Sequence, residues 1–182
     1  EGLALKFPDR IDVLHRPGKM GLRSAYLNGF QKILEGETQA IVQMDADFSH
    51  DPSALVHMAE LLKTNDVVLG SRYVQGGSVD TRWPAWRKNL SAFGNFYARS
   101  ILGLPLHDVT TGYRMWRRET LRQMPFERIQ ANGYVFLVEM AYLAHCLGFK
   151  IGEAPIYFAD RQLGRSKMSL KIQMEAALRI WQ

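Results

Sequence analysis

The chain predicts an α/β domain. Three observations carry this: short apolar strands alternate with amphipathic helices, polar loops follow the strand ends, and 182 residues with 47% hydrophobic side chains can enclose one core. Ile11–Leu14 reads as a strand, Gly18–Gly21 as a loop, and Leu22–Leu34 as a helix closed by Gly36. Ala40–Met44 repeats the strand, and Pro52–Lys63 the helix, with Leu55, Met58, Ala59 and Leu62 on one face. Val67–Leu69 is a further strand, ending at Gly70 and Ser71. This alternation points to parallel βαβ units, in which ligands bind beyond the carboxyl ends of the strands. After Tyr73 the pattern changes: Gly76, Gly77, Ser78 and Pro84 mark a loop, and a helix follows over Trp86–Leu102. Asp108–Gly112 reads as a loop, Tyr134–Leu147 as a helix, Ile151–Phe158 as a strand, Asp160–Ser169 as a polar loop and Leu170–Trp181 as a final amphipathic helix. The whole of residues 1–182 is expected to be a single domain. A strand or two is expected ahead of Ile11 in a complete unit of this kind.

Composition narrows the function. The single cysteine, Cys146, excludes an internal disulfide, and its apolar surroundings predict a buried thiol. With 23 basic and 18 acidic residues the net charge is +5, which favours anionic partners. No zinc spacing, RNA-recognition signature or long basic run accompanies that charge, so nucleic acid is not expected as a partner. No apolar run is long enough to span a bilayer, so membrane contact by these residues is expected to be peripheral. The last helix, with Met174, Ala177, Leu178 and Trp181 beside Lys171 and Arg179, suits either a membrane interface or the cover of a sheet.

Asp45 and Asp47 follow directly on the apolar run Ala40–Met44. Side chains at i and i+2 of an extended chain share a face, so both carboxylates are presented toward one point at a strand end. Mg²⁺ and Mn²⁺ take such oxygen ligands together with substrate phosphates. A structural cap uses the same residue type, and on spacing alone both readings are open.

HRPGKMGLRSAYLNGF (His15–Phe30), QMDADFSHDP (Gln43–Pro52), GSRYVQGGSV (Gly70–Val79), WRKNLSAFGN (Trp86–Asn95), DVTTGYRMWRRETL (Asp108–Leu121), NGYVFLVEM (Asn132–Met140) and DRQLGRSKM (Asp160–Met168) occur in this order. Together they resemble the dolichol-phosphate or polyprenol-phosphate mannosyltransferases. That resemblance implies a GT-A fold, Rossmann-like, with a mostly parallel sheet flanked by helices and the family's first strands lacking here. It further implies inverting transfer of mannose from GDP-mannose to a polyprenyl phosphate, at the cytoplasmic membrane face. Mg²⁺ or Mn²⁺ would be held by Asp45, Asp47 and Ser49, the last standing where the family often has Gln, with His50 able to assist. Lys19 falls in the loop near the donor phosphates, although Arg23 stands where the family more often has a small residue.

The acceptor phosphate is mostly a dianion at neutral pH, so it needs holding and not deprotonating. Arg72, Arg87 and Arg161 match the family's phosphate-binding arginines, with Ser91 one helical turn beyond Arg87 and Lys167 as a further candidate. Arg117, Arg118, Arg122 and Arg128 read as solvated surface charges. Asp108, with Thr111, matches the loop beside the sugar. Glu139 lies in an apolar stretch, where a hydroxyl-binding or cation-pairing role and a water-facing position are both open. Loops 74–83 and 160–168 are expected to close over the substrates. A relative using UDP-glucose or another sugar nucleotide, and a non-catalytic prenyl-phosphate-binding module, are the alternative readings.

Overall fold

The computed structural model describes residues 2–160. Helix α1 (Gly2–Lys6) precedes residues 11–16, which have no regular structure, so the strand expected at Ile11–Leu14 is absent. Val13 and Leu14 are 39% and 49% exposed, and an apolar run with no sheet to bury it gains nothing from extended pairing. Helix α2 (Gly21–Leu34), strand β1 (Ala40–Gln43), helix α3 (Ala54–Leu62) and strand β2 (Val67–Ser71) follow close to their expected positions. Next come β3 (Ser78–Val79), α4 (Ala85–Ile101), β4 (Arg114–Arg117), α5 (Arg118–Gln123), α6 (Val135–Cys146), β5 (Ile151–Pro155) and β6 (Tyr157–Phe158).

The main sheet has the order β1-β4-β2-β5. β4 pairs antiparallel with both β1 and β2, and β2 pairs parallel with β5. β1, β2 and β5 therefore run one way, as the alternation predicts, and a reversed β4 is inserted between them. The run Ile151–Phe158 is not one strand. It breaks at Ile156, and β6 leaves the main sheet to pair in parallel with β3.

Alternation along the strands divides the core in two. Val67, Leu69, Ile41 and Trp116 face α2 and α6, where Phe30, Phe136, Leu137 and Met140 complete one cluster. Val68, Met115 and Tyr113 face α3 and pack on Met58 and Leu62. β2 is buried along its whole length, as befits a strand covered on both faces.

Two arginines expected as solvated charges are instead helix caps. Arg117 donates Nη2 to the Leu62 and Lys63 carbonyls at 2.6 and 2.7 Å and Nε to Asn65 O at 2.8 Å. Arg118 donates Nη2 to the Leu34 O and Gly36 O carbonyls. The last carbonyls of α3 and α2 lack intrahelical partners and lie at the negative ends of their dipoles, so a guanidinium is well placed there. Cys146 is exposed, not buried, because it lies at the C-terminal end of α6 just before the Gly148 turn. There Gly148 takes φ 79° and the Phe149 N–H returns to Ala144 O, closing the helix.

Candidate active site

β1 ends at Gln43 and delivers Asp45 and Asp47, both half-buried, into the loop beyond it. Phe48 follows with φ 63°, a left-handed conformation uncommon for a bulky side chain. This bend brings Ser49 back onto Asp47: its hydroxyl donates to Oδ1 at 2.5 Å and its N–H to the same oxygen at 3.1 Å. Ser49 is fully buried, so in this arrangement it orients Asp47. The Asp45 N–H donates to Nδ1 of His50 at 2.9 Å, and the imidazole stacks on Tyr113. A neutral imidazole accepting at Nδ1 carries its proton on Nε2.

The loop Asp108–Gly112 runs beside this pair. A Cβ at Gly112 would lie 3.8 Å from Asp45 Oδ1, so the loop backbone approaches that carboxylate closely. Asp108 is fully buried and accepts three N–H groups of Arg72: Nε at 2.7 Å, Nη2 at 2.8 Å and the backbone N at 3.1 Å. Nη2 also donates to Thr110 Oγ1 at 2.9 Å, while Nη1 reaches Ser91 Oγ at 3.5 Å. Burial alone would push the Arg72 guanidinium down, but the Asp108 carboxylate outweighs it and holds the group above its ordinary value. Arg72 is thus a hub with one edge, Nη1, turned toward Ser91.

Several residues that the sequence did not single out build this hub. Asn95, buried inside α4, accepts the Val109 N–H at 2.9 Å and donates to Thr110 Oγ1 at 3.0 Å. Glu153 of β5 accepts the N–H groups of His107 and Asp108, each at 2.9 Å. Arg114, fully buried, donates to Thr111 O and Val109 O from beneath the loop, and burial pushes its pKa down to about 10. The Tyr73 hydroxyl donates to Ser91 Oγ at 2.8 Å. Each contact joins residues distant in sequence or uses an ordinary side-chain type, so no local pattern announces it.

Arg87 lies at the start of α4, about one-third exposed, stacked over the Trp83 ring at 3.7 Å. It donates to Asp160 Oδ1 at 3.1 Å, and Trp83 Nε1 donates to the same oxygen at 3.1 Å. The Asp160 N–H donates to Asp80, which also binds Arg82 through three of its N–H groups. Loop 74–83 is thereby tied to the end of β6. Hydrogen bonds from Arg82 and from the Asp160 N–H hold the Asp80 carboxyl far below the usual aspartate range. A depressed carboxylate stabilises the fold above its unfolded pKa and loses that contribution as pH falls. The Tm advantage of wild type over Asp80→Asn is therefore expected to be full at neutral pH and to shrink below about pH 4. A pH-independent difference would show that the charge is immaterial.

Gly77 closes the same loop against the hub. A Cβ there would stand 2.5 Å from Ser71 O and 2.8 Å from the Arg72 carbonyl carbon, both backbone atoms. Gly77→Ala is expected to cost on the order of 2 kcal/mol or more in chemical denaturation, because the chain and not a flexible side chain must move. A cost under about 0.5 kcal/mol, the range of a neutral surface change, would show that the loop yields freely.

The remaining sequence candidates fall outside this cluster. Lys19 is exposed in the loop before α2. Among the described residues the partly buried Glu139 carboxylate accepts the N–H groups of Gln130 and Ala131 at 3.2 and 2.8 Å, fixing the turn before α6. Arg161 and Lys167 lie outside the described residues. Among the described residues no helix is long and apolar enough to cross a membrane.

Residues 2–124 match the family described as "Glycosyl transferase family 2". The chain is 45% identical over 170 residues to the undecaprenyl-phosphate mannosyltransferase of Micrococcus luteus, covering 93% of this chain and 70% of that protein. It is 42% identical over 179 residues to the polyprenol monophosphomannose synthase of Mycolicibacterium smegmatis, covering 98% and 67%. Among solved structures, glucosyl-3-phosphoglycerate synthase from Mycobacterium tuberculosis, with Mn²⁺, UDP and glucosyl-3-phosphoglycerate, superposes with TM-score 0.56 at 15% identity, over 98% of this chain and 56% of that one. The same enzyme with Mg²⁺ and UDP gives 0.55 at 17% identity, again over 98% and 56%. At such identity the likeness bears on fold alone, and the chain spans about half the length of these solved proteins. The mixed sheet between helices is the GT-A fold, and the chain belongs to glycosyl transferase family 2.

Proposed function

We propose that the protein transfers mannose from GDP-mannose to a polyprenyl phosphate with inversion, in a divalent-metal-dependent reaction at a membrane surface. The observation that carries this is the 45% and 42% identity, across nearly the whole chain, with two proteins named for mannosyl transfer to prenyl phosphates. The donor set at the end of β1 fits Mg²⁺ or Mn²⁺: two accessible carboxylates, one oriented by Ser49, suit an ion that keeps waters and substrate phosphates in its shell. Asp45 and Asp47 would hold such an ion, which would supply charge stabilisation to the departing diphosphate. In the transfer an acceptor phosphate oxygen bonds to the anomeric carbon, and the bond from that carbon to the diphosphate oxygen breaks, its electron pair leaving with the nucleotide. The dianionic acceptor is nucleophilic without a base. Ser91, the Nη1 edge of Arg72 and the partly exposed Arg87 are the groups that hold it, and Asp108 fixes Arg72 for that task.

The test uses the full-length protein with labelled GDP-mannose, GDP-glucose and UDP-glucose, a polyprenyl phosphate in detergent, and Mg²⁺, Mn²⁺ or chelator. Label is expected in the organic phase from GDP-mannose alone, and only with metal. Label from UDP-glucose would correct the donor, and no label from any donor would overturn the transferase reading.

A further inference from the structure

Gly112 is a glycine that the backbone does not need. Gly77 is required because a Cβ would stand 2.5 Å from Ser71 O, and Gly148 because its φ is left-handed. At Gly112 φ lies outside the left-handed region, and the atoms nearest to an added Cβ are Asp45 Oδ1 and His50 Cε1 at 3.8 Å and Leu137 Cδ1 at 3.9 Å, all ordinary contact distances. The fold would accept a methyl group here. That methyl would take up the partly exposed space beside the Asp45 carboxylate.

The peptide group ahead of Gly112 is turned by Arg114. This side chain is fully buried, yet among the described residues no carboxylate bonds it: Nε donates to Thr111 O at 2.9 Å, Nη2 to Val109 O at 3.0 Å, and Nη1 has no acceptor. A buried cation without an anion costs stability, and an apolar side chain would fill the same place without that penalty. What the guanidinium adds is a rigid fork that grips two carbonyls of one loop. No peptide bond is cis, so a carbonyl and the N–H of the next residue point opposite ways. With Thr111 O drawn inward to Arg114, the Gly112 N–H is turned away from the core. It has no acceptor among the described residues, and Gly112 itself is partly exposed. An outward N–H, an open gap and a carboxylate thus meet just beyond β1.

We infer that Gly112 contacts the sugar-diphosphate donor: its N–H donates to an oxygen of that donor, and its lack of a side chain keeps clear the room the donor takes beside Asp45. Arg114 is the positioning residue that aims this N–H. The inference rests on the proposed function, because it takes the donor to bind beyond the end of β1. The accepting oxygen belongs to the diphosphate or to the sugar, since both offer the lone pairs that a backbone N–H binds.

The experiment follows the Gly112 amide by nitrogen-15 NMR in the full-length protein labelled at glycine, its signal being the one that Gly112→Ala removes. GDP, GDP-mannose and UDP-glucose are added separately with Mg²⁺. A downfield shift of the Gly112 amide proton is expected: with GDP alone it assigns the oxygen to the diphosphate, and with a sugar nucleotide only, to the sugar. Gly112→Ala is expected to melt at or above the wild-type temperature, because alanine narrows the unfolded ensemble without strain in the native one. Its KM for the donor should nevertheless rise about tenfold, while the KM for prenyl phosphate stays within about twofold. A loosened fold would move both. Arg114→Lys keeps the charge without the fork and should reduce the donor-induced shift by about half or more. A full shift in that variant would remove Arg114 from its role. A Gly112 signal unmoved by every donor, or a wild-type donor KM in Gly112→Ala, would overturn the inference. A signal that moves while no label reaches prenyl phosphate would remove the transferase reading and keep the donor contact, whereas transfer with an unmoved signal would do the reverse.

Discussion

Asp47→Ala is expected to lower transfer at least about a hundredfold while the protein still unfolds cooperatively near the wild-type temperature. The two effects separate because the described contacts of Asp47 are local. Its Oδ1 receives the N–H and hydroxyl of Ser49, two residues on, so truncation leaves that buried hydroxyl and N–H to find other acceptors. That costs about 1–3 kcal/mol. Transfer as proposed loses more: a diphosphate leaving group develops charge as its bond to the sugar breaks, and a carboxylate that helps to hold a divalent ion there would lower the barrier by several kcal/mol. Ser49→Ala serves as the graded control. It keeps the Asp47 carboxylate but removes the hydroxyl that orients it, so activity should fall less, with a raised requirement for Mg²⁺ or Mn²⁺. The check is label transfer across a metal titration for wild type and both variants, beside their thermal melts. Unchanged turnover in Asp47→Ala would sink the assignment of the pair to a metal.

The carboxylates after β1 were legible because everything needed is local: an apolar run, a strand end, and alternate residues sharing a face. The helices of the core were legible for the same reason, since Met58 and Leu62, or Tyr26 and Phe30, recur at helical spacing. β4 was not. Arg-Met-Trp-Arg carries cations at both ends, and nothing nearby says that Arg114 is buried under carbonyls of its own loop or that Arg117 caps a helix some fifty residues earlier. Insertion of this reversed strand between β1 and β2 is a property of the sheet, which a βαβ pattern does not encode. The site was legible in the same uneven way. Arg72 stood out by following a strand end, but its dependence on Asn95 and Glu153 is created by long-range packing. Glu139 shows the opposite case, an acidic residue in an apolar helix whose partners are backbone amides just upstream.

Breaking the Arg72–Asp108 pair is expected to have the largest effect on stability, about 3–5 kcal/mol for either Asp108→Asn or Arg72→Met. The magnitude follows from burial. The side chains are 9% and 0% exposed, and removing one charge strands the other among groups arranged to receive it. Asp108→Asn leaves Arg72 a neutral acceptor in place of a bidentate anion. Arg72→Met leaves Asp108 with the Thr110 hydroxyl at 3.3 Å and the Arg72 backbone N–H at 3.1 Å as described donors to its carboxylate. Neither remnant balances a full buried charge. The double variant Arg72→Met/Asp108→Asn is expected to cost less than the sum of the single variants, because neither member of the pair is left charged without the other, and the coupling in a denaturation cycle should exceed about 2 kcal/mol. Transfer should fall with both single variants, since the hub sets where Ser91 and the Arg72 Nη1 edge stand. In the double variant, however, activity should not recover with stability, because that edge is gone. Single variants costing under about 1 kcal/mol each would mean that the pair is screened like a surface bridge. A double variant that regained both stability and transfer would show that Arg72 contributes nothing to the chemistry beyond neutralising Asp108.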